Sequence, residues 1–304
     1  MKRPKLITIS GPTAIGKTSF AVTLAKHLGC PILSSDARQF FKEMEIGTAV
    51  PTTTEQQGVK HYFIQHKSIH DPYSVGDFEK DAITLLDSLF KNFEVVILVG
   101  GSNLYTDAVV HGLDTFPDVS EAITVMWQKA YKTQGLAHLQ EELKRLDPIY
   151  FEIVDTQNHV RLLRALGVCT ASKKPYSFFL AQPKKPRSFD TVSIELTMSR
   201  EKLYERINRR VDVMIENGLV HEAKTLLPYK NLNALQTVGY RELLPYFDGK
   251  QSLEESIENI KTNTRRFAKR QLTWLRNHPV QFKLPYDTTI DRGILEKLDL
   301  EISV

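Results

Sequence analysis

The strongest constraint in this chain is a short segment near its start, Gly11-Pro12-Thr13-Ala14-Ile15-Gly16-Lys17-Thr18, which fits the pattern G-x-x-x-x-G-K-[ST]. It follows an apolar, β-rich run at residues 6–10. It precedes residues 19–28, where Phe20, Leu24 and Leu28 recur at helical spacing. Strand, glycine loop and helix form the context in which this pattern binds phosphate. The glycines let backbone N–H groups wrap phosphate oxygens, and the helix that follows offers its positive N-terminal end. Lys17 adds a point charge, and Thr18 offers a hydroxyl to Mg²⁺. Gly11, Thr13, Ala14, Ile15, Gly16, Lys17 and Thr18 are therefore expected to hold a phosphate chain. The plainer reading is a glycine turn with an incidental lysine.

The rest of the chain continues the alternation. Residues 31–35 read as a second short strand. Phe78, Ala82, Leu85, Leu86 and Leu89 mark an amphipathic helix that Ser74 and Asp77 are placed to cap. Residues 95–99 are a wholly apolar strand ending in Gly100-Gly101. Strands alternating with helices predict a parallel sheet. The texture changes near Pro117, and from there to about Tyr176 the pattern is helical with no strand. Residues 182–187 are rich in proline and lysine and read as an exposed linker. A strand at 192–196 and a helical stretch over 200–277 follow. The expected architecture is an α/β P-loop core, residues 1–116 and 190–304, with a parallel sheet flanked by helices. An all-helical insertion at 117–189 interrupts it.

Composition narrows the function less than the motifs do. A net charge of +4 over 304 residues does not argue for nucleic acid; the placement of charge must. Cys30 and Cys169 lie far apart and make no metal or redox spacing, as expected of a reduced cytoplasmic protein. Met1-Lys2-Arg3 is basic, but the apolar run after it is too short for a signal peptide. No apolar run reaches the length of a membrane span. His61, His66 and His70 suit neither a zinc finger nor a helical H-E-x-x-H motif, so no protein-built metal site is expected there. The apolar strand at 95–99 ends in Gly-Gly and not in the aspartate that P-loop ATPases and GTPases place on Mg²⁺. No Asn-Lys-x-Asp is present for guanine. The loop says phosphate without saying nucleotide, and small-molecule kinases stay open.

Three further features carry chemistry. Asp36 stands just after a short strand, at the end where open α/β sheets bind ligands. It is either a general base or a turn aspartate. Arg206 and Arg210 lie four apart on one predicted helix whose apolar stripe is Leu203, Ile207, Val211 and Met214. Residues 261–276 hold Lys261, Arg265, Arg266, Lys269, Arg270 and Arg276 and no acid. They flank a predicted stripe of Ile257, Ile260, Thr264, Phe267, Gln271 and Trp274. This reads as a helix docked on the core and offering cations to phosphates. A solvated charged face is the alternative.

Beyond the loop, blocks follow in a specific order: Ser35-Asp36-Ala37-Arg38-Gln39, Met44-Glu45-Ile46-Gly47-Thr48-Ala49, Val99-Gly100-Gly101-Ser102-Asn103-Leu104-Tyr105, Arg161-Leu162-Leu163-Arg164-Ala165-Leu166, Val238-Gly239-Tyr240-Arg241-Glu242 and a last block at 264–276. The ordered set resembles the tRNA dimethylallyltransferases, also called tRNA isopentenyltransferases, over nearly the whole chain. The resemblance implies transfer of a dimethylallyl group from dimethylallyl diphosphate to N6 of adenine 37 in tRNA, with Mg²⁺ present and pyrophosphate released. It implies that the loop grips the diphosphate and that the helical insertion helps clamp the anticodon stem-loop. Asp36 would accept the N6 proton, Lys17 would take up leaving-group charge, and Arg210, backed by Arg206, would reach the diphosphate. Ser102, where the family usually has threonine, would touch the diphosphate or the amine.

The tRNA-facing set implied is Asp36, Ala37, Arg38, Gln39, Ser102, Gln157, Asn158, Arg161, Gly239, Tyr240, Arg241, Arg265, Lys269 and Arg270. Arg38 and Gln39 are candidates to read the anticodon loop, and Phe40 and Phe41 are candidates to stack on bases or to pack in the core. Three departures stand out: Asn103 for a usual glycine, Asn158 for a usual aspartate and Gly167 for a usual glutamate. Asn158 and Gly167 put tRNA choice in question more than chemistry, while Asn103 bears on the backbone geometry of its turn. The partners expected are tRNA and the prenyl diphosphate, with no membrane and a monomeric protein. Three competing readings are a metabolite kinase, a non-catalytic RNA-binding protein and an isopentenyltransferase of free adenine nucleotides. A mononucleotide needs neither the insertion nor the basic helix, which favours tRNA over the last.

Overall fold

The computed structural model describes residues 3–300, so Met1 and Lys2 of the basic start lie outside the described residues. The chain divides into two compact units. One takes in the chain up to His111 and from Arg187 onward; the other is Gly112–Pro186.

The first unit opens with β1 (Lys5–Ser10), α1 (Lys17–Leu28), β2 (Ile32–Ser34), a one-turn α2 (Thr53–Gln56), β3 (His61–Tyr62), α3 (Val75–Leu89), β4 (Val95–Val99) and α4 (Asn103–His111). Ser74 caps α3 and Asp77 returns the bond, the capping box expected from the sequence. After the second unit, β5 (Asp190–Thr197) re-enters the sheet. The six strands run parallel in the order β3-β2-β4-β1-β5-β6, where β6 is Phe282–Pro285. Both faces are covered, so β4 reads as an unbroken apolar run. One face packs Ile7, Ile9, Ile97 and Ile194 against Phe20, Leu24 and Leu203. The other packs Leu6, Leu33 and Leu98 against Phe78, Ala82 and Leu86.

Two strands were not anticipated. β3 is two residues long and β6 four, too short for an alternation to register. They are strands because neighbouring backbone offers them ladder partners.

The second unit holds α5 (Glu121–Leu146), α6 (Pro148–Phe151), α7 (His159–Ser172) and α8 (Tyr176–Leu180), and no strand. It starts and ends a few residues earlier than the expected 117–189. Its core is Trp127, Leu139, Leu143, Leu162, Ala165 and Leu166. Gly135 breaks α5 at φ 79°. Asp147 is fully buried and stitches the unit: its carboxylate accepts from the amides of Tyr150 and Ser177 and from the Ser177 hydroxyl.

The remaining helices belong to the first unit: α9 (Arg200–Glu216), α10 (Leu219–Thr225), α11 (Leu244–Phe247), α12 (Leu253–Asn277) and α13 (Arg292–Lys297). The buried line of α12 is Ser256, Ile260, Ala268, Gln271 and Leu275. This corrects the expected stripe, because Phe267 is 36% exposed and Trp274 only half-buried. Trp274 instead stacks on His278 at 3.7 Å. The exposed linker is corrected at Arg187, whose guanidinium pairs with Glu79 and donates to the Ala108 carbonyl. Among the described residues, no helix is long and apolar enough to cross a membrane.

Candidate active site

At the C-terminal edge of the sheet lies a cleft of about 1000 Å³, large for a small-molecule site. Residues of the P-loop, Asp36, the β4 turn, the segment 45–55, α9 and α12 line it.

The P-loop supplies one end. Gly16 caps α1 in the left-handed conformation, and no side chain caps the helix, so its first-turn N–H groups are left for an anion. Lys17 Nζ donates to the carbonyls of Gly11 and Pro12, each at 2.9 Å. An ammonium has three donors, so one remains for a ligand. Burial pulls the Lys17 pKa down to about 8, opposed by the Asp36 carboxylate and helped by Arg210. The Thr18 hydroxyl makes no hydrogen bond among the described residues and faces the cleft at the start of α1.

Asp36 follows β2 in a tight turn. Its Oδ1 accepts from the Arg38 amide at 3.1 Å, so it is a turn aspartate by one oxygen. Its other oxygen accepts no hydrogen bond among the described residues, and the residue lines the cleft. Gly100 makes this arrangement possible: a Cβ there would stand 2.4 Å from Ser35 Oγ and 2.7 Å from the Asp36 amide. Ser102 does not line the cleft. Its hydroxyl accepts from the Ala37 amide at 3.0 Å, which gives it a positioning role next to Asp36. Asn103 sits at the first position of α4 without a left-handed φ, so replacing the usual glycine costs no backbone strain.

The two arginines divide their work. Arg206 donates to the Ala14 carbonyl at 2.8 Å and lies over the Tyr286 ring, bracing the loop. Arg210 lines the cleft and makes no hydrogen bond or ion pair among the described residues. Burial lowers its pKa and Asp36 opposes the shift. A guanidinium stays charged regardless, so Arg210 presents an uncommitted cation to the cleft.

The lining also has an apolar part, Ile46, Ala49, Val50, Pro51 and Ile64 together with Val213, Met214 and Phe267, as one wall of the cleft among polar neighbours such as Thr52, Glu55 and Asn217. Glu222, on α10, holds this wall. Its two oxygens accept from the amides of Glu45, Ile46 and Gly47 and from the Tyr240 hydroxyl. The Tyr240 ring lies where a Cβ on Gly47 would be, at 2.6 Å. Sequence reasoning missed Glu222 and the bonds of Gln271. A polar residue on the buried face of α12 was a signal for Gln271; nothing marked Glu222.

Several residues expected to face RNA are buried or already hold protein partners. Tyr240 is 2% exposed and tied to Glu222, so it is structural. Gln39 spends its amide on the Thr48 and Ala49 carbonyls and accepts from Ser34. Arg38 donates to the carbonyls of Asn233 and Ala234, and burial lowers its pKa. Phe40 and Phe41 are both buried, so neither stacks on bases. Arg265 bonds Asn208 and Thr262, and Lys261 pairs with Asp212 and Glu258. The acid-free run is thus partly neutralised from α9 and from the preceding turn of α12. Lys269 and Arg270 remain exposed and without an acid partner among the described residues, as do Arg266 and Arg276. Arg241 is exposed beside Glu242, and the Gly239 amide is held by the same carboxylate.

In the second unit, Gln157 and Arg161 are exposed at the start of α7, which Asn158 caps. Asparagine caps as well as the usual aspartate, so that departure removes charge but not structure. Gly167 is buried, with Val119 Cγ1 3.2 Å from where its Cβ would be, so a larger residue there would require the Val119 side chain to shift. His61 lines the cleft with Nδ1 on the Val59 carbonyl, and His66 is half-buried among Phe40, Phe63 and Tyr73, its pKa pulled down to about 4 by desolvation. No cluster of three metal-ligating side chains occurs among the described residues.

The family model described as IPP transferase matches residues 39–278. The tRNA dimethylallyltransferase of Christiangramia forsetii is 54% identical over 274 residues, covering 90% of this chain and 91% of that protein. The enzyme of the same name from Flavobacterium johnsoniae is 51% identical over 295 residues, covering 95% and 94%. The crystal structure of the tRNA isopentenylpyrophosphate transferase from Bacillus halodurans superposes with a TM-score of 0.71 at 36% identity, covering 98% of this chain and 95% of that one. A eukaryotic dimethylallyltransferase acting on tRNA shares the fold, with a TM-score of 0.84 at 23% identity over 99% of this chain and 81% of that one.

Proposed function

This chain belongs to the IPP transferase family, and from that premise we propose that it transfers a dimethylallyl group from dimethylallyl diphosphate to N6 of adenine 37 in tRNA. The observation that carries the residue roles is the cleft's charge pattern. A free carboxylate oxygen, a lysine with one spare donor and an uncommitted arginine face one space beside uncapped helix amides. A diphosphate seated on the amides of α1 meets Lys17 and Arg210. The allylic carbon then points along the apolar wall toward Asp36.

The adenine N6 lone pair attacks the allylic carbon as its bond to the diphosphate oxygen breaks. The electron pair of that bond leaves with pyrophosphate, where Lys17, Arg210 and the loop amides stabilise the developing charge. The N6 proton passes to Asp36. Thr18 and the diphosphate oxygens fit Mg²⁺, which favours phosphate and water over protein cages and would neutralise leaving-group charge. The adenine must leave its stack to reach the cleft. The exposed cations of α12 and the start of α7 are the surfaces we assign to the tRNA anticodon stem-loop. We place the reaction in the cytoplasm, with its tRNA, and expect a monomer.

Labelled dimethylallyl diphosphate, Mg²⁺ and unmodified tRNA should give labelled tRNA with the purified protein. Consumption of ATP with no label on tRNA would instead support the kinase. Two finer outcomes follow from the geometry. Arg210→Ala should raise the KM for the diphosphate by about ten- to a hundredfold, the loss of a charge-assisted contact. An unchanged KM would remove Arg210 from the site. Binding of tRNA should weaken with salt at a slope on the order of −3 in log–log form, for about four phosphates neutralised by α12. A flat salt response would show that α12 does not face phosphate.

A further inference from the structure

Gln271 is buried at 5% exposure on a helix whose opposite face is basic. Its amide spans two loops that no other side chain joins among the described residues. Oε1 accepts from the Thr13 amide at 2.9 Å, inside the P-loop, and Nε2 donates to the Gly101 carbonyl at 2.7 Å, in the turn after β4. Thr13 begins the loop that carries Lys17, and Gly101 adjoins the turn packed on Ser35 and Asp36. The β1–β4 ladder sets the coarse separation of the leaving-group and proton-accepting ends of the cleft, and Gln271 adds the side-chain link between the loops that follow those strands. A buried amide with both ends engaged is costly to leave half-paired, so the two bonds act as one clamp.

We infer that Gln271 is a positioning residue for prenyl transfer. It locks the P-loop to the β4 turn, and so holds the diphosphate and the Asp36 carboxylate at the separation that in-line attack requires. The inference rests on the transferase reading above. Because Gln271 lies on α12, among Lys269 and Arg270, the same helix that offers cations to RNA also sets the spacing of the reacting groups. Gln271 borders the cleft, but both ends of its amide are taken by Thr13 and Gly101, and in this scheme it acts through them.

The test is a single-turnover measurement on Gln271→Met, which keeps length and volume and removes both bonds. With tRNA and diphosphate saturating, the transfer rate should fall about ten- to a hundredfold, the cost of a misplacement on the order of 1 Å. The dissociation constant for tRNA should stay within twofold, because no RNA-facing group is lost. A rate within twofold of the parent would overturn the inference. So would a loss that tracks weakened tRNA binding, which would make Gln271 only a packing residue of the RNA surface. If Gln271→Met does not fold, Gln271→Asn decides: it keeps a buried amide but is one methylene too short to span both loops, and the same rate loss is expected. The parent protein is the control. No label on tRNA with the parent would sink the transferase reading itself, while an active parent with an unaffected variant sinks only the clamp.

Discussion

Asp36→Ala is expected to slow prenyl transfer between about 10²- and 10⁴-fold, the range for removing a positioned general base. At about 1.4 kcal/mol per decade, that is about 3 to 5 kcal/mol of barrier. The expectation follows from the division of labour between the two carboxylate oxygens. One holds the Arg38 amide and belongs to the turn; the other lies on the cleft without a partner among the described residues. Asp36→Asn separates these jobs, because asparagine can still accept from the Arg38 amide but cannot take a proton. Both variants should lose rate while binding tRNA normally. An Asp36→Asn protein that kept most of its turnover would mean that the proton leaves by another route and that Asp36 serves the turn alone.

Lys17→Met is expected to reduce the rate by about 10²- to 10³-fold, the scale for losing one preorganised donor to developing negative charge. The pH dependence gives a sharper signature. With its pKa lowered to about 8, Lys17 is charged below that pH and loses its proton above it. A bound diphosphate needs the charged form and so holds the proton on. Affinity for the diphosphate should therefore be level below pH 8 and fall as pH rises through it, approaching tenfold per unit. Lys17→Arg keeps a charge that does not titrate in this range, so its profile should stay level where the parent's falls. Parallel profiles for the two proteins would assign the pH dependence to the ligand and not to Lys17.

The features legible in the sequence were those set by neighbours along the chain. The P-loop spacing, the capping box of Ser74 and Asp77 and the unbroken apolar run of β4 each depend on residues a few positions apart. The place of Asp36 on the cleft was legible because the end of a short strand is where open sheets place ligands, while its role came only from the family resemblance. Side-chain partners were the least legible, because a residue's type does not reveal them. Tyr240 and Arg265 belong to residue types common at RNA surfaces, yet one is pinned by Glu222 and the other by Asn208. Lys261 counted as a free cation until α9 brought Asp212 to 2.9 Å.

By itself, then, the sequence determined the opening phosphate unit, the parallel α/β core, the helical insertion and the order of blocks that marks the family. Local periodicity and turn chemistry are enough for the first three, since they rest on contacts between near neighbours, while the order of blocks marks the family by resemblance alone. Only the tertiary structure decided which polar groups are spent and which are free: Arg210 uncommitted, Arg206 braced on Ala14, Ser102 holding Ala37, and Gln271 reaching Thr13 from 258 residues away. Such pairings follow from how the helices pack on the sheet, and a buried polar atom takes whatever partner that packing brings within reach.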